Sequence, residues 1–133
     1  MPSLAATIEE SLERVADRAG DPTPAVYARL FARYPEMQAL FVRDRDGAVK
    51  GEMLNKLFEV ALDLAGPNAY AANFIACEVL NHEGVGVPRE VFPHFFEVAV
   101  ETFRDLAGPD WTPAYDTAWR DLIARVDDIT AAA

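Results

Sequence analysis

Apolar residues recur three and four positions apart through most of this sequence, the spacing that places them on one face of an α-helix. One such face runs through Met53, Leu57 and Ala61. No segment alternates apolar and polar residues in the manner of a half-buried strand. The pattern therefore predicts an all-α protein of about six helices, packed at angles rather than as a simple up-down bundle.

Proline, glycine and capping residues mark where the predicted helices begin and end. Ser3 or Thr7 can cap the first helix, and Thr23-Pro24 starts the second, which Pro35 breaks. The predicted elements that follow are a short turn over 35–41 and helices over 49–65, over 68–81, from 88 to about 107 and from 113 onward.

The composition favours one acidic globular domain, which we expect to span residues 1–133. The formal net charge is −10, which argues against binding nucleic acid or an anionic membrane, because both need a basic surface. No apolar run reaches the ~20 residues that span a bilayer, and the first residues lack the basic and apolar regions of a secretory signal. The expected location is therefore the cytoplasm.

His82 is the candidate for site chemistry. It shares a helical face with Ile75 and Val79, and a glycine-valine corner follows it. A histidine held at the edge of a large apolar pocket can serve as the axial ligand of haem. Spacing alone favours a surface histidine at a helix end, so both interpretations stay open at this point. No phosphate-binding loop, metal-spaced cluster or nucleophile–histidine pattern competes.

Three groups of residues resemble a known family, the bacterial single-domain globins and flavohaemoglobins. The second and third helices of that family have a tyrosine, a phenylalanine, a Pro-Glu pair and an aromatic residue at fixed spacings. This chain has the same spacings at Tyr27, Phe31, Pro35-Glu36 and Phe41. Their proximal histidine and Gly-Val corner resemble the segment 82–87, and the start of their last helix resembles 111–113. The resemblance covers nearly the whole chain and implies a globin fold, with six to eight helices packed at angles around a haem pocket.

The resemblance also implies a role for each matching residue. His82 would be the axial ligand of the haem iron, Phe41 would stack against the porphyrin, and Tyr27 would donate a hydrogen bond to bound dioxygen. Val87 belongs to the corner beside the haem. The other implied haem contacts are Leu54, Leu57 and Phe58 on the distal side, and Phe92 and Phe96 on the proximal side.

Three positions depart from the family pattern. Lys50 falls where the family usually has His or Gln, and its stem can cover the pocket mouth while its ammonium pairs with a haem propionate. Phe92 stands where flavohaemoglobins have a tyrosine, and Glu78 stands where the family prefers an apolar residue. The missing tyrosine argues against nitric-oxide dioxygenase chemistry of the flavohaemoglobin type.

The sequence therefore predicts a globin that binds haem b and reversibly binds a diatomic gas, with dioxygen first. A haem-free globin-fold sensory or protein-interaction module is the alternative. A third hypothesis, a haem enzyme acting on nitric oxide or peroxide, would need an external reductase. A homodimer also stays open. We expect no catalytic residues.

Overall fold

Helices account for all of the regular structure in the computed structural model, which describes residues 2–133. Within that range there is no strand, and the all-α prediction is confirmed. The six α-helices are α1 (Leu4–Ala19), α2 (Thr23–Arg33), α3 (Ala48–Ala65), α4 (Ala71–Gly84), α5 (His94–Ala107) and α6 (Pro113–Ala132). Two 3₁₀-helices, Pro35–Phe41 and Gly108–Asp110, connect α2 to α3 and α5 to α6.

The core is centred on Trp119, which lies where α6 meets α1 and α5 and is fully buried. Its ring lies 5.9 Å from that of Phe103, measured between centroids. Its indole N–H donates a 2.9 Å hydrogen bond to the hydroxyl of Ser11. That hydroxyl in turn donates to the carbonyl of Ile8 at 2.6 Å. The polar atom of the largest core side chain is therefore satisfied inside the protein.

The start of α4 differs from the prediction. The sequence pattern predicted a helix from residue 68, but the helix begins at Ala71. The buried carboxylate of Asp63, near the end of α3, accepts hydrogen bonds from the backbone N–H groups of Ala69, Tyr70 and Ala71 at 3.1, 3.0 and 2.8 Å. Because the first N–H groups of a helix have no partners within it, this distant carboxylate decides where α4 starts.

The start of α5 also differs, because Pro88 does not open it. The segment 88–93 forms successive turns, in which the N–H of Val91 donates to the carbonyl of Pro88 at 3.0 Å and that of His94 to Val91 at 2.9 Å. Pro93 has no N–H to continue an α-helical ladder and stands at the helix N-cap. The longer corner leaves Val87 and Val91 free to line a cleft beside His82.

Two pairings of helices form the walls of that cleft. α3 packs on α4, and α2 packs on α5 and on the 3₁₀-helix Pro35–Phe41. α1 and α6 cover the opposite side through contacts with α3, α4 and α5. Among residues 2–133, no helix is both long enough and apolar enough to cross a bilayer.

Candidate functional site

Two adjoining cavities form one cleft, and His82 is on the wall of both. The larger has a volume of about 210 Å³ and the smaller about 90 Å³. The residues that line both are Met53, His82, Phe92 and Phe95. The rest of the larger cavity is formed by Leu30, Met37, Leu40, Phe41, Val49, Val85, Val87 and Val91. The rest of the smaller is formed by Lys56, Leu57, Val60, Phe74, Ile75, Glu78 and Phe96.

The cleft is apolar and opens to solvent through an apolar rim. In the larger cavity every lining residue except His82 is apolar. At its mouth, Leu40, Val49 and Val85 are 47%, 49% and 63% exposed. Large apolar side chains grouped around an opening mark a binding site for an apolar ligand or partner.

The imidazole of His82 is held by its own helix. Its Nδ1 lies 2.7 Å from the backbone carbonyl oxygen of Glu78, one turn earlier in α4. A carbonyl oxygen only accepts, so Nδ1 is the donor in this hydrogen bond. Nε2 makes no hydrogen bond to any residue in the range 2–133. The ring of Phe92 lies 5.1 Å away in an edge-to-face arrangement that fixes the second side of the imidazole.

No multidentate metal site accompanies this histidine. Within residues 2–133, no group of three or more His, Cys, Asp and Glu side chains is placed to hold an ion.

The ring of Tyr27 stands behind the cleft rather than on its lining. The ring is buried, with centroid distances of 5.4 Å to Phe41 and 5.8 Å to Phe95, both of which line the larger cavity. Its hydroxyl donates a 3.2 Å hydrogen bond to the carbonyl of Lys50. Burial, with a smaller effect from the negative charge of Asp44, raises the pKa of Tyr27, so the hydroxyl stays protonated.

Lys50 is also off the lining of the cleft. Its Nζ lies 5.8 Å from the ring centroids of both Phe31 and Phe41, within cation–π range. Its backbone N–H donates to Asp44 Oδ2 at 3.0 Å, and the N–H of Val49 donates to Oδ1 at 3.0 Å. These hydrogen bonds, the one from Val49 first, lower the pKa of Asp44 and fix the entry to α3.

A sequence model of the globin family matches residues 24–129, which is most of the chain. The chain belongs to the globin family. Neither the curated proteins nor the solved structures compared with it gave a match. Globins generally bind haem through a proximal histidine and bind a gas ligand on its iron. The match does not distinguish subtypes, so the likeness to flavohaemoglobins and the bacterial origin stay predictions.

The residues of this globin fit a haem. The walls are apolar, Nε2 of His82 has no hydrogen-bond partner among residues 2–133, and the rim exposes apolar side chains that a large flat cofactor would cover. Haem needs only one nitrogen from the protein, which is what the cleft supplies. The fit rests on His82 and on the aromatic walls around it.

Most of the haem contacts implied by the resemblance line the cleft. They are Phe41, Leu57, Val87, Phe92 and Phe96. Leu54 and Phe58 do not line it. Leu54 is buried in the core, and the ring of Phe58 packs 5.8 Å from that of Phe103. On α3 the wall is formed by Met53, Leu57 and Val60, and residues one position later are rotated by about 100° toward the core.

The sequence analysis did not propose several residues of the cleft in this globin. They are Leu30, Met37, Leu40, Val49, Met53, Val60, Val85, Val91 and Phe95. For Met53 and Val60 a signal was present, since both share the helical spacing of Leu57. For Val85 and Val91 no local signal existed, because the corner after His82 positions them.

Proposed function

We propose that this globin binds one haem b in the cleft, with Nε2 of His82 as the axial protein ligand, and reversibly binds a diatomic gas, with dioxygen foremost. The observation that supports this is the hydrogen bond from Nδ1 of His82 to the carbonyl of Glu78, which leaves Nε2 of a cavity-lining histidine without a partner among residues 2–133. When bound, the haem supplies the iron to which the gas attaches.

The aromatic walls would hold the cofactor in one orientation. Phe41 and Phe92 both line the larger cavity, one from the 3₁₀-helix and one from the corner before α5. Flat rings gain dispersion and hydrophobic energy against a flat ligand. The same apolar lining excludes water, and a dry pocket slows the oxidation that would end reversible binding.

Tyr27 is the proposed hydrogen-bond donor to the gas. It is the polar side chain whose ring packs directly on cavity residues, through Phe41 and Phe95. Its raised pKa keeps the proton on the oxygen, so it can act only through a neutral hydroxyl. In this role the hydroxyl would give up its hydrogen bond to the Lys50 carbonyl and donate to the bound gas instead.

Lys50 is the proposed partner of a haem propionate. Within residues 2–133 its ammonium has no carboxylate within 4.0 Å, whereas Lys56 is paired with Glu59 at 2.7 Å. The chain has no lysines besides these two. The ammonium lies above Phe41 and interacts with Asp44 without forming a salt bridge, so it would be available to a haem propionate.

Hemin titration of the purified protein tests the haem proposal, with the two histidines of the chain as a matched pair. We expect a Soret band that persists in His94→Ala, because the ring nitrogen of His94 is hydrogen-bonded to the Tyr34 hydroxyl outside the cleft lining. His82→Ala should lose the iron–histidine signature and regain a ligated spectrum when free imidazole is added. A folded wild-type protein that refuses hemin would overturn the proposal and support the haem-free module.

Reversibility is tested separately on the ferrous protein. We expect distinct spectra for the ferrous, carbon-monoxide and dioxygen forms, with dioxygen removed by lowering its pressure. Rapid oxidation of the dioxygen form at every attempt, together with turnover of nitric oxide or peroxide by a supplied reductase, would favour the enzyme hypothesis instead.

A further inference from the structure

A carboxylate stands beside Nδ1 of His82, the ring nitrogen that would not bind the haem iron. Oε2 of Glu78 lies 3.6 Å from Nδ1 of His82. The side chains are 30% and 28% exposed, so the pair is partly shielded from water. The other carboxylate oxygen accepts a 3.2 Å hydrogen bond from the side-chain amide of Asn81. The carboxylate is thus held on the Nδ1 side from a second direction.

No lysine or arginine neutralises this carboxylate among the described residues. Within the described residues 2–133, no lysine or arginine lies within 4.0 Å of it. Lys56 lines the same cavity but is paired with Glu59. Apart from the neutral amide of Asn81, the side chain closest to the Glu78 carboxylate in these contacts is the imidazole of His82, at 3.6 Å.

We propose that Glu78 is a positioning residue that tunes the proximal histidine, an inference that rests on the haem-binding function proposed above. A histidine that ligates a metal donates its other N–H to a carbonyl or carboxylate, and that partner raises the basicity of the ligand. Here one residue supplies both groups, because the backbone carbonyl accepts the hydrogen bond and the carboxylate places a negative charge 3.6 Å from the same nitrogen.

The charge has a definite consequence for the iron. Negative charge near Nδ1 increases the electron donation of the imidazole, which strengthens its bond to the metal. It also favours the more positively charged ferric state over the ferrous state, by Coulomb attraction. Glu78 therefore holds the midpoint potential of the haem lower than an apolar residue at this position would.

The test compares three variants of the hemin-loaded protein by resonance Raman spectroscopy and by redox titration. Glu78→Gln keeps the size of the side chain but removes its charge. Asn81→Ala keeps the charge of Glu78 but removes the hydrogen bond that holds its carboxylate in place. Glu83→Gln removes one charge next to His82 whose carboxylate is instead paired with Arg89 at 3.2 Å, and serves as the matched control.

In Glu78→Gln we expect the iron–histidine stretching frequency of the ferrous form to fall. The ferrous-to-ferric ratio at a fixed potential should rise about threefold to tenfold, where tenfold corresponds to 59 mV for one electron. Asn81→Ala should shift both in the same direction by less, and Glu83→Gln should leave the stretching frequency at the wild-type value.

Two results overturn the inference while leaving haem binding intact. One is a Glu78→Gln protein with an unchanged stretching frequency. The other is an equal shift in both glutamine variants, which would indicate a general effect of net charge. A wild-type protein that binds no hemin would overturn this inference and the proposed function together, so the two failures are distinguishable.

Discussion

The hydroxyl of Tyr27 donates to the backbone carbonyl of Lys50, which joins the middle of α2 to the first turn of α3 across 23 positions of sequence. This hydrogen bond places the hydroxyl of a buried tyrosine at the start of α3, beside the rings of Phe41 and Phe95. The proposed role of Tyr27 therefore depends on how α3 begins.

Replacing Tyr27 with phenylalanine should speed the dissociation of dioxygen by roughly threefold to tenfold, the worth of one hydrogen bond of about 1 kcal/mol. Stopped-flow displacement by carbon monoxide measures this rate. Tyr34→Phe is the matched control, because its hydroxyl bonds to His94 rather than to the entry of α3. An unchanged rate in Tyr27→Phe would remove this residue from the mechanism.

The two lysines should differ in their contribution to cofactor binding. Lys50→Met is expected to weaken hemin binding by about twofold to fivefold, the range of an exposed ion pair. The same variant should bind the dimethyl ester of hemin as the wild type does, since the ester has no propionate charge. Lys56→Met removes an equal charge but should leave the affinities for hemin and for its dimethyl ester unchanged, because Lys56 already forms a salt bridge with Glu59.

A larger loss of hemin affinity in Lys56→Met than in Lys50→Met would assign the propionate to the smaller cavity instead. Lys56 lines that cavity, and its ammonium lies 5.5 Å from the ring centroid of Phe74. Fluorescence quenching during hemin titration gives both affinities under the same conditions.

Stability should depend on pH through Asp63. The backbone N–H of Tyr70, followed by those of Ala71 and Ala69, lowers the pKa of Asp63 below its usual range, against the opposing effect of burial. The folded pKa lies below the unfolded value of about 3.9, so this stabilisation is fully present above that value. It is lost as the pH falls through the lower, folded pKa.

Asp63→Asn should therefore lower the urea midpoint at pH 7, and its difference from the wild type should narrow as both are acidified toward pH 3. The exposed Asp128, replaced by Asn, is the control and should leave the midpoint near the wild-type value. A difference for Asp63→Asn that is constant across this range would contradict a role for the ionised carboxylate.

The buried pair of Ser11 and Trp119 should be strongly coupled. Ser11→Ala leaves the indole N–H without a partner in the core, at a cost of about 1–3 kcal/mol in the free energy of unfolding. The same substitution should cost much less in a Trp119→Phe background, where no indole N–H is present. Urea unfolding of the four proteins in this double-mutant cycle measures the coupling.

A suitable control is Thr102→Val, which removes a buried hydroxyl that bonds only within its own helix, to the carbonyl of Val98 at 2.8 Å. Thr102→Val should lower the free energy of unfolding by less than Ser11→Ala does. Additive effects of Ser11→Ala and Trp119→Phe would show that the hydrogen bond contributes little to stability.

The sequence by itself determined the helices and the face that carries His82. Helical periodicity is local, since residues three and four apart lie on one side of a helix whatever surrounds it. Proline acts locally as well, which is why the break at Pro35 was predictable. The family resemblance rested on spacings within such segments, and the family match over residues 24–129 confirmed the globin assignment.

Tertiary structure alone decided where α4 begins and which side of α3 faces the cleft. The carboxylate of Asp63 caps a helix that starts eight residues later. Met53 rather than Leu54 forms the wall, although both belong to one apolar stripe. The local sequence pattern of α3 is equally compatible with either residue facing the cleft. Only the packing of the neighbouring helices therefore selects which face of α3 lines it.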